Sequence, residues 1–546
     1  EPSPASNEAP APSTPVSLVA VLVATLAAYA SALGNRFVSD DEHVIVHGRL
    51  IGSLANIPAL FAHDSFYNSF GDAGDPHLQV RTYRPLTLAT FFVERALWGL
   101  KPAFYHLDSV LLHAGNGALL FLLGRRLGLL PLTATFGAVL FAVHPSMSEA
   151  VHWVNGRSDP LVVSFWLMAC LASVATPFKH SRGPLVALAV FAATLCKELA
   201  YPLVVAAALL VYHRHGFLAG LRVYAWWIVG AGAGLVARLL ALKATATGSS
   251  SAVLRFALSR LPVLFWDATV SFLVPSPVLR ASLYDRYAHP PPALFVAGGA
   301  LLAVGAIAAI LHLRQRKLWW PWLFATAALT LGPVALIANF EGWSGWGRYL
   351  YPSSTVAALS AAYLLGERVA PALSAARRRV LYALASAFLV LCAVQTFRAG
   401  AKWYDPRAFA QSLYEDQPES SIGYYSLAEI ELTENHPARA VTLARRATEI
   451  NPRFGRSWSV LAQAHYVLGE RERAFEAARR ALDVSPYDLN ALFLLGIEAQ
   501  ERDPAFATRR FVRVLARAPG QEGVWSTLRA HLRRTGRHGP AALALE

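Results

Sequence analysis

The stretch VSLVAVLVATLAAYASAL, residues 16–33, runs directly into GNRFVSDDEH, residues 34–43. The first part is uncharged and close to the ~20 residues that an α-helix needs to span a bilayer. The second part sets three carboxylates, Asp40, Asp41 and Glu42, and the imidazole of His43 at the mouth of that helix. A charge at the bilayer centre costs about 2.5–3.5 kcal/mol on insertion scales. The acidic stretch is therefore expected just beyond the hydrocarbon, where water or a charged substrate reaches it. Taken alone it also reads as an ordinary solvated loop, because exposed acids need no special reason.

Composition extends the membrane reading to the whole chain. Of 546 residues 55% are hydrophobic and only 15% are charged, against roughly 25% charged in an average soluble domain. The net charge of +14 does not point to nucleic acid. Much of it lies in short loops between apolar runs, where it orients a membrane protein, and the rest decorates C-terminal helices. Cys170, Cys196 and Cys392 each lie in an apolar run; they read as small packing residues, without disulfide or metal spacing. The first fifteen residues, rich in Pro, Ala and Ser, lack the basic start of a signal peptide and read as a disordered tail.

Ten more apolar runs follow, at 105–123, 131–145, 160–176, 184–196, 199–213, 223–242, 293–312, 318–338, 348–366 and 380–397. Several fall short of a full span, so their ends are expected to extend, and 184–213 is open to packing as one kinked unit. Arg125-Arg126, Lys179 with Arg182, Arg214 with Arg222, Arg314 to Lys317 and Arg377 to Arg379 mark cytoplasmic loops. Counting outward puts the N-terminus inside. The loops bearing Asp40 and Asp41, His144 to Asp159, Lys197-Glu198 and Glu341 to Arg348 fall outside, as does the C-terminal region. Residues 253–275 are apolar but carry Arg255, Arg260 and Asp267. A span there would invert two basic loops, so an interfacial or re-entrant helix on the outer side is expected, leaving eleven spans. Within the first outer loop, 34–104, Asn56 to Pro58 and Tyr83-Arg84-Pro85 read as breaks between short helices. Segment 86–98, with Glu94 and Arg95, reads as interfacial.

After Lys402 the pattern changes. Pro418, Pro452, Pro486 and Pro519 recur at intervals of 34, 34 and 33, the tetratricopeptide period. Tyr424, Leu427, Ala428, Ala440 and Ala447 in one unit correspond to Trp458, Leu461, Ala462, Ala474 and Ala481 in the next. A shorter unit has Leu492, Leu495 and Gly496, and Trp525 and Leu528 begin an incomplete fourth. Small residues there let paired helices approach closely, and stacked pairs form a concave surface for an extended partner.

The polar residues that interrupt apolar runs share one side of this topology: the acidic stretch, Arg84, His144, Glu149, His152, Arg157, Asp159, Lys197, Glu198, Arg238, Arg348 and Tyr349. Ions at membrane depth pair with one another or line a cavity. Lys197-Glu198, with almost no loop around it, is either part of a site or a mutual salt bridge tethering two spans. The stretches around Arg157 and Arg348 also read as interfacial aromatic anchors with snorkelling charges. Together, a carboxylate cluster facing Arg, Lys and His suits a negatively charged lipid head group. Cations would hold a phosphate while a carboxylate takes a proton from an incoming hydroxyl.

At this point the chain resembles the transmembrane O-mannosyltransferases with tetratricopeptide repeats and, more distantly, the protein O-mannosyltransferases, both of the C-type glycosyltransferase superfamily. The residues that carry the resemblance are Phe37 to Asp41, Tyr83 to Thr87, Ala96 to Pro102, Tyr105-His106-Leu107 and Leu111-Leu112-His113. Ala142 to Pro145, Glu149-Ala150-Val151 with Trp153, Gly156 to Asp159, Cys196-Lys197-Glu198 and Gly347 to Tyr351 complete the set. The resemblance implies an all-α fold: a C-type membrane domain over 16–400 with about eleven spans, then a tetratricopeptide solenoid over 405–546. It implies inverting transfer of a sugar, mannose or another hexose, from a polyprenyl phosphate to Ser or Thr hydroxyls of exported proteins, with the repeats binding the polypeptide acceptor. Carried over, Asp40 is the first choice for the base and Asp41 the second. Arg84, His144, Lys197, Arg348 and Tyr349 would hold the donor, and Glu149, Arg157, Asp159 and Glu198 would serve the acceptor or support the others. No metal is expected, though the acids leave a divalent ion open. The absence of Asn-x-Ser/Thr sequons with an Ala/Arg/Leu-rich composition favours a bacterial inner membrane with the site on the periplasmic side, or the lumenal side of the endoplasmic reticulum in a eukaryote. The alternatives are glycosylation of a lipid or polysaccharide, and a non-catalytic membrane scaffold.

Overall fold

The computed structural model describes residues 13–70, 82–242, 251–278, 291–337, 347–517 and 521–535. Most of the expected N-terminal tail, the loop residues Glu341 to Trp346 and the repeat position Pro519 lie outside that set. Among the described residues the chain is helical, with no strand. Proline opens many helices, as at Pro85, Pro102, Pro131 and Pro292. At the first turn its missing N–H would have had no intrahelical partner.

All eleven apolar runs form helices. They are α1 (Thr14–Ala28), then, after α2 (Pro85–Trp98) in the first loop, α3 (Pro102–Arg126), α4 (Pro131–Val143), α5 (Ser158–Ser173), α6 (Gly183–Cys196), α7 (Ala200–His215) and α8 (Phe217–Leu242). After α9 (Ser251–Leu273) come α10 (Pro292–Arg314), α11 (Trp319–Ile337), α12 (Tyr351–Tyr363) and α13 (Ala375–Ala399). By length and apolarity, α3, α8, α10 and the helix from Ala375 qualify as spans on their own, while α1, α4 and α6 are shorter apolar helices. The protein is a multi-pass helical membrane protein. Its core joins α1, α3, α4, α5, α6, α7 and α12 through residues such as Val21, Phe121, Phe141, Trp166 and Leu359. The three cysteines are buried in it and free. Where α8 crosses α6, a methyl at Gly230 would meet the carbonyl of Ala187 and one at Gly234 would meet Thr194, so only small residues permit the approach.

Helix ends sort into two faces. On one, Arg214 in the last turn of α7 donates to the Val174 carbonyl at 2.9 Å. Tyr212 and His213 line a groove with Arg316 and Lys317, and Trp319 stacks on Tyr363. These are the basic loops. The opposite face gathers the first loop, the α4–α5 connection, the α6–α7 turn and the start of α12. The pair α6 and α7 forms two helices joined by a three-residue turn. Helix α9 packs against α10 and α11 and reaches residues of that second face. Its Val263, Leu264 and Phe265 pack with Leu199, Tyr349 and Leu350, and one turn or two later Phe272 stacks on His144. The expected breaks in the first loop also appear, with short helices at Ile57–Ala62 and α2 starting at Pro85.

Beyond α13 the chain forms a helical solenoid: α14 (Pro406–Asp416), α15 (Ser421–Thr433), α16 (Pro437–Ile450), α17 (Gly455–Val467), α18 (Arg471–Val484), α19 (Leu489–Ala499), α20 (Pro504–Arg517) and α21 (Glu522–Arg534). Alternate helices begin at Ser421, Gly455 and Leu489, a 34-residue step. Ala428, Ala440, Ala444, Ala462, Ala464, Ala478 and Ala481 are fully buried between the pairs. Their small size sets the close helix spacing. Asp405 and Asp488 cap α14 and α19 by accepting the Ala408 and Ala491 amides at 2.8 Å, a contact worth about 1 kcal/mol each.

Candidate active site

The site starts from the α6–α7 turn. Helix α6 stops at Cys196, and Lys197 takes an extended conformation, φ −167° and ψ 152°, so the next two side chains part company. Lys197 Nζ lies 2.7 and 2.6 Å from the two oxygens of Asp159. Glu198 instead takes Arg84 at 3.1 Å and Arg238 at 2.8 Å, and it accepts the Tyr83 amide at 3.2 Å. Lys197 and Glu198 thus form no mutual bridge; each reaches a different part of the fold. Thr87 donates to the Cys196 carbonyl at 3.0 Å, which fixes α2, and so Arg84, to this turn. Burial pushes the Glu198 carboxyl up, but Arg84 and Arg238 outweigh it and hold it down to about 2.

Arg348 and Tyr349 complete the cluster. Tyr349 places its ring 3.9 Å from Lys197 Nζ. Arg348 Nε is 4.0 Å from Asp159, and its guanidinium lies 4.3 Å from the Trp153 ring. Asp159 is fully buried, Lys197 nearly so. Four basic side chains (Arg84, Lys197, Arg238, Arg348) meet two carboxylates (Asp159, Glu198), a formal excess of at most two positive charges; burial pushes the Lys197 ammonium down to about 7, with Asp159 opposing. Such a cluster holds its cations in place through carboxylates while keeping a net attraction for an anion.

The acidic stretch divides. Ser39 sits at φ +56°, a left-handed conformation unfavourable for a residue with a Cβ, and the chain turns sharply there. Asp41 points inward and is fully buried. Its carboxyl accepts the Val38 amide at 3.2 Å and the Asn155 amide at 2.9 Å. Burial pushes it up to about 8, with those amides and Arg157 opposing. Asp40 faces solvent. Adjacent carboxylates thus have different environments: one clamps the loop and the other is open to a substrate. Arg157 pairs with Glu94 of α2 at 2.5 Å, donates to the Tyr105 carbonyl at 2.7 Å and reaches Ser109.

One short segment links everything. Within residues 153–159, Trp153 lies under Arg348, Asn155 holds Asp41, Arg157 takes Glu94 and Asp159 takes Lys197. A Cβ on Gly156 would fall 2.9 Å from the Glu149 carbonyl oxygen and 3.2 Å from Ala150 Cα, so the segment lies flat on the short helix Ser148–His152. Glu149 is buried in that helix. His144 bonds Ser146 Oγ at 2.8 Å and, through Nε2, the Phe272 carbonyl at 3.0 Å, which ties α9 to the site face. Sequence reasoning gave no role to Glu94, an acid inside an apolar helix, or to Trp153 beneath Arg348. The motif residue His113 bonds Tyr351 at 2.7 Å, and Asn116 bonds the same hydroxyl at 3.0 Å. This is a satisfied buried network.

No family model matches the chain. The sequence is 32% identical to the human protein O-mannosyl-transferase TMTC4 over 194 residues, 31% of this chain and 26% of that protein. It is 34% identical to the mouse protein O-mannosyl-transferase TMTC3 over 191 residues, 33% of this chain and 20% of that protein. It is 30% identical to the Drosophila melanogaster protein O-mannosyl-transferase Tmtc1 over 174 residues, 32% and 20% of the two. The matched stretch spans about a quarter or less of each relative's length. Over about a third of its own length, this chain resembles the protein O-mannosyl-transferases.

Proposed function

We propose that the chain is an inverting glycosyltransferase. It moves mannose or another hexose from a polyprenyl-phosphate donor to Ser or Thr hydroxyls of exported polypeptides. The observation that carries this reading is the four-cation, two-carboxylate cluster on the same face as an exposed aspartate; the likeness to protein O-mannosyl-transferases supports it. A glycosyl phosphodiester carries one negative charge, and the departing monoester approaches two. An excess of positive charge favours the departing phosphate over the bound donor, which is the differential binding that lowers a barrier.

In this reading Arg84, Lys197 and Arg348 hold the phosphate, with Tyr349 beneath Lys197. Arg238, Asp159 and Glu198 keep the cations aligned, and His144 seats α9 along the pocket. The acceptor hydroxyl attacks the anomeric carbon in line with the departing phosphate oxygen. Asp40 takes the hydroxyl proton as the glycosidic bond to phosphate breaks, so configuration inverts. A carboxylate is a weak base, so the proton transfer runs in concert with phosphate departure. Asp41, Arg157 and Glu149 position the loop and the acceptor side. No metal ion takes part. The site and the solenoid face the periplasm of a bacterial inner membrane, or the equivalent lumen, and the solenoid delivers the acceptor peptide.

The test is transfer in vitro from polyprenyl-phosphate sugars to Ser/Thr peptides by wild type, Asp40→Asn and Asp41→Asn. Loss of about a hundredfold or more in Asp40→Asn is expected for a general base. Full activity in both variants sinks the base assignment. Transfer to lipid or glycan acceptors in place of peptides redirects the substrate, and no turnover with any donor favours a scaffold.

A further inference from the structure

Between the site and the solenoid lies a plug of apolar residues. Val38, Trp153, Trp403, Leu413, Ile422 and Phe454 form one buried cluster. Val38 belongs to the acidic loop, Trp153 to the linking segment, and Trp403 ends the 3-10 turn Gly400–Trp403 that leads into the solenoid. Leu413 and Ile422 come from the solenoid's first two helices, α14 and α15, and Phe454 directly precedes α17. Trp153 and Trp403 stack with centroids 6.1 Å apart and planes 19° apart. Phe409 of α14 backs Trp403 at 5.0 Å. Beside this stack the backbone of Arg36 donates to the Tyr404 carbonyl at 2.8 Å.

We infer, building on the transferase reading above, that the root of the solenoid positions the donor-binding cation Arg348, with Trp403 as the positioning residue acting through Trp153. The path is short and, apart from the half-buried Phe409, buried. Phe409 supports Trp403, Trp403 stacks on Trp153, and Arg348 lies 4.3 Å from the Trp153 ring, with Asp159 4.0 Å from its Nε. Trp153 and Trp403 are 3% and 2% exposed, so neither moves without opening the plug. A guanidinium over a desolvated indole is held by the ring quadrupole as well as by its carboxylate. Removing the far indole lets Trp153 relax and costs Arg348 its alignment. The solenoid therefore acts twice: on the acceptor through its surface and on the donor through its root.

The experiment uses the full chain in lipid nanodiscs and measures the affinity of polyprenyl-phosphate mannose without acceptor. Trp403→Ala is expected to weaken donor binding on the order of tenfold, while Trp403→Phe, which keeps a stacking ring, stays within about twofold of wild type. Phe409→Leu, which loosens the support without touching the membrane domain, falls between them. Unchanged donor affinity in Trp403→Ala and Phe409→Leu, with only the acceptor KM raised, overturns the inference. If Trp403→Ala does not fold, Phe409→Leu decides alone. A wild-type chain that binds neither polyprenyl-phosphate mannose nor any other polyprenyl-phosphate hexose sinks the transferase reading instead. The coupling is then read from amide hydrogen exchange at 347–350, which Trp403→Ala accelerates if Trp403 positions Arg348 and leaves unchanged if it does not.

Discussion

Ion pairs in the membrane domain and in the solenoid are made of the same groups and do opposite things. Lys197–Asp159 has side-chain exposures of 2% and 0%, whereas Arg479–Glu498 in the solenoid has 54% and 27%. A surface pair contributes between nothing and about 1 kcal/mol. A buried pair must first recover the cost of dehydrating two ions, and apolar residues of the same volume often do as well. Solenoid pairs therefore trim a surface. The buried Lys197–Asp159 pair makes poor glue, and its presence fits a site that needs charge at a fixed position; Glu198, with its side chain 31% exposed, stands between the two cases.

The contrast breaks most visibly at Asp159. Asp159→Ala strands Lys197 beside Arg348 with no carboxylate, and about 3–5 kcal/mol of stability is expected to go, read as a large fall in thermal midpoint. An unchanged midpoint would erase the distinction between the two regions. Glu198 gives the next effect. Its folded pKa of about 2 lies below the ordinary value, so its stabilisation is full above about pH 4.5 and is lost as pH falls toward 2. Glu198→Gln should flatten that acid limb of a midpoint-against-pH curve.

Asp41 sharpens the comparison from the other direction. Its folded pKa is raised to about 8, so between roughly pH 4 and 8 the folded loop binds more proton than the unfolded chain. Loop stability falls as pH rises through that window. Hydrogen exchange across 36–46, corrected for intrinsic rate, should be faster at pH 8 than at pH 5, and Asp41→Asn should remove the difference. The smallest effect belongs to the solenoid surface, where Arg479→Ala should change stability by no more than about 0.5 kcal/mol. A larger loss would mean that surface pairs there act as a network.

Much of this was legible in the chain before any coordinates. Apolar runs predicted helices because helix formation in lipid leaves no alternative for the backbone, and the 34-residue period predicted stacked pairs. The residues of the cluster were visible as polar interruptions. Their pairing was not. Arg84 and Glu198 are 114 residues apart, and Lys197 and Asp159 are 38 apart. Nothing local distinguishes those pairings from a bridge between the neighbours Lys197 and Glu198. Asp40 and Asp41 are likewise identical in type, and only the turn at Ser39 sends one inward. Trp153 looked like an interfacial anchor because its two partners, Arg348 and Trp403, come from distant segments.

Gly156 carries a consequence for variation. A Cβ there would press on the backbone of Glu149 and Ala150 at 2.9–3.3 Å and force a shift of one or the other, so the residue works as a shim. Thickening it by one carbon lifts the strip that bears Trp153, Asn155, Arg157 and Asp159 as a single piece. Base loop, donor cations and solenoid root would all lose registration together. Mutational tolerance at position 156 should therefore be low, although glycine brings no functional group to the site. Any variant that fills it can recover only through a compensating shift in residues 148–152.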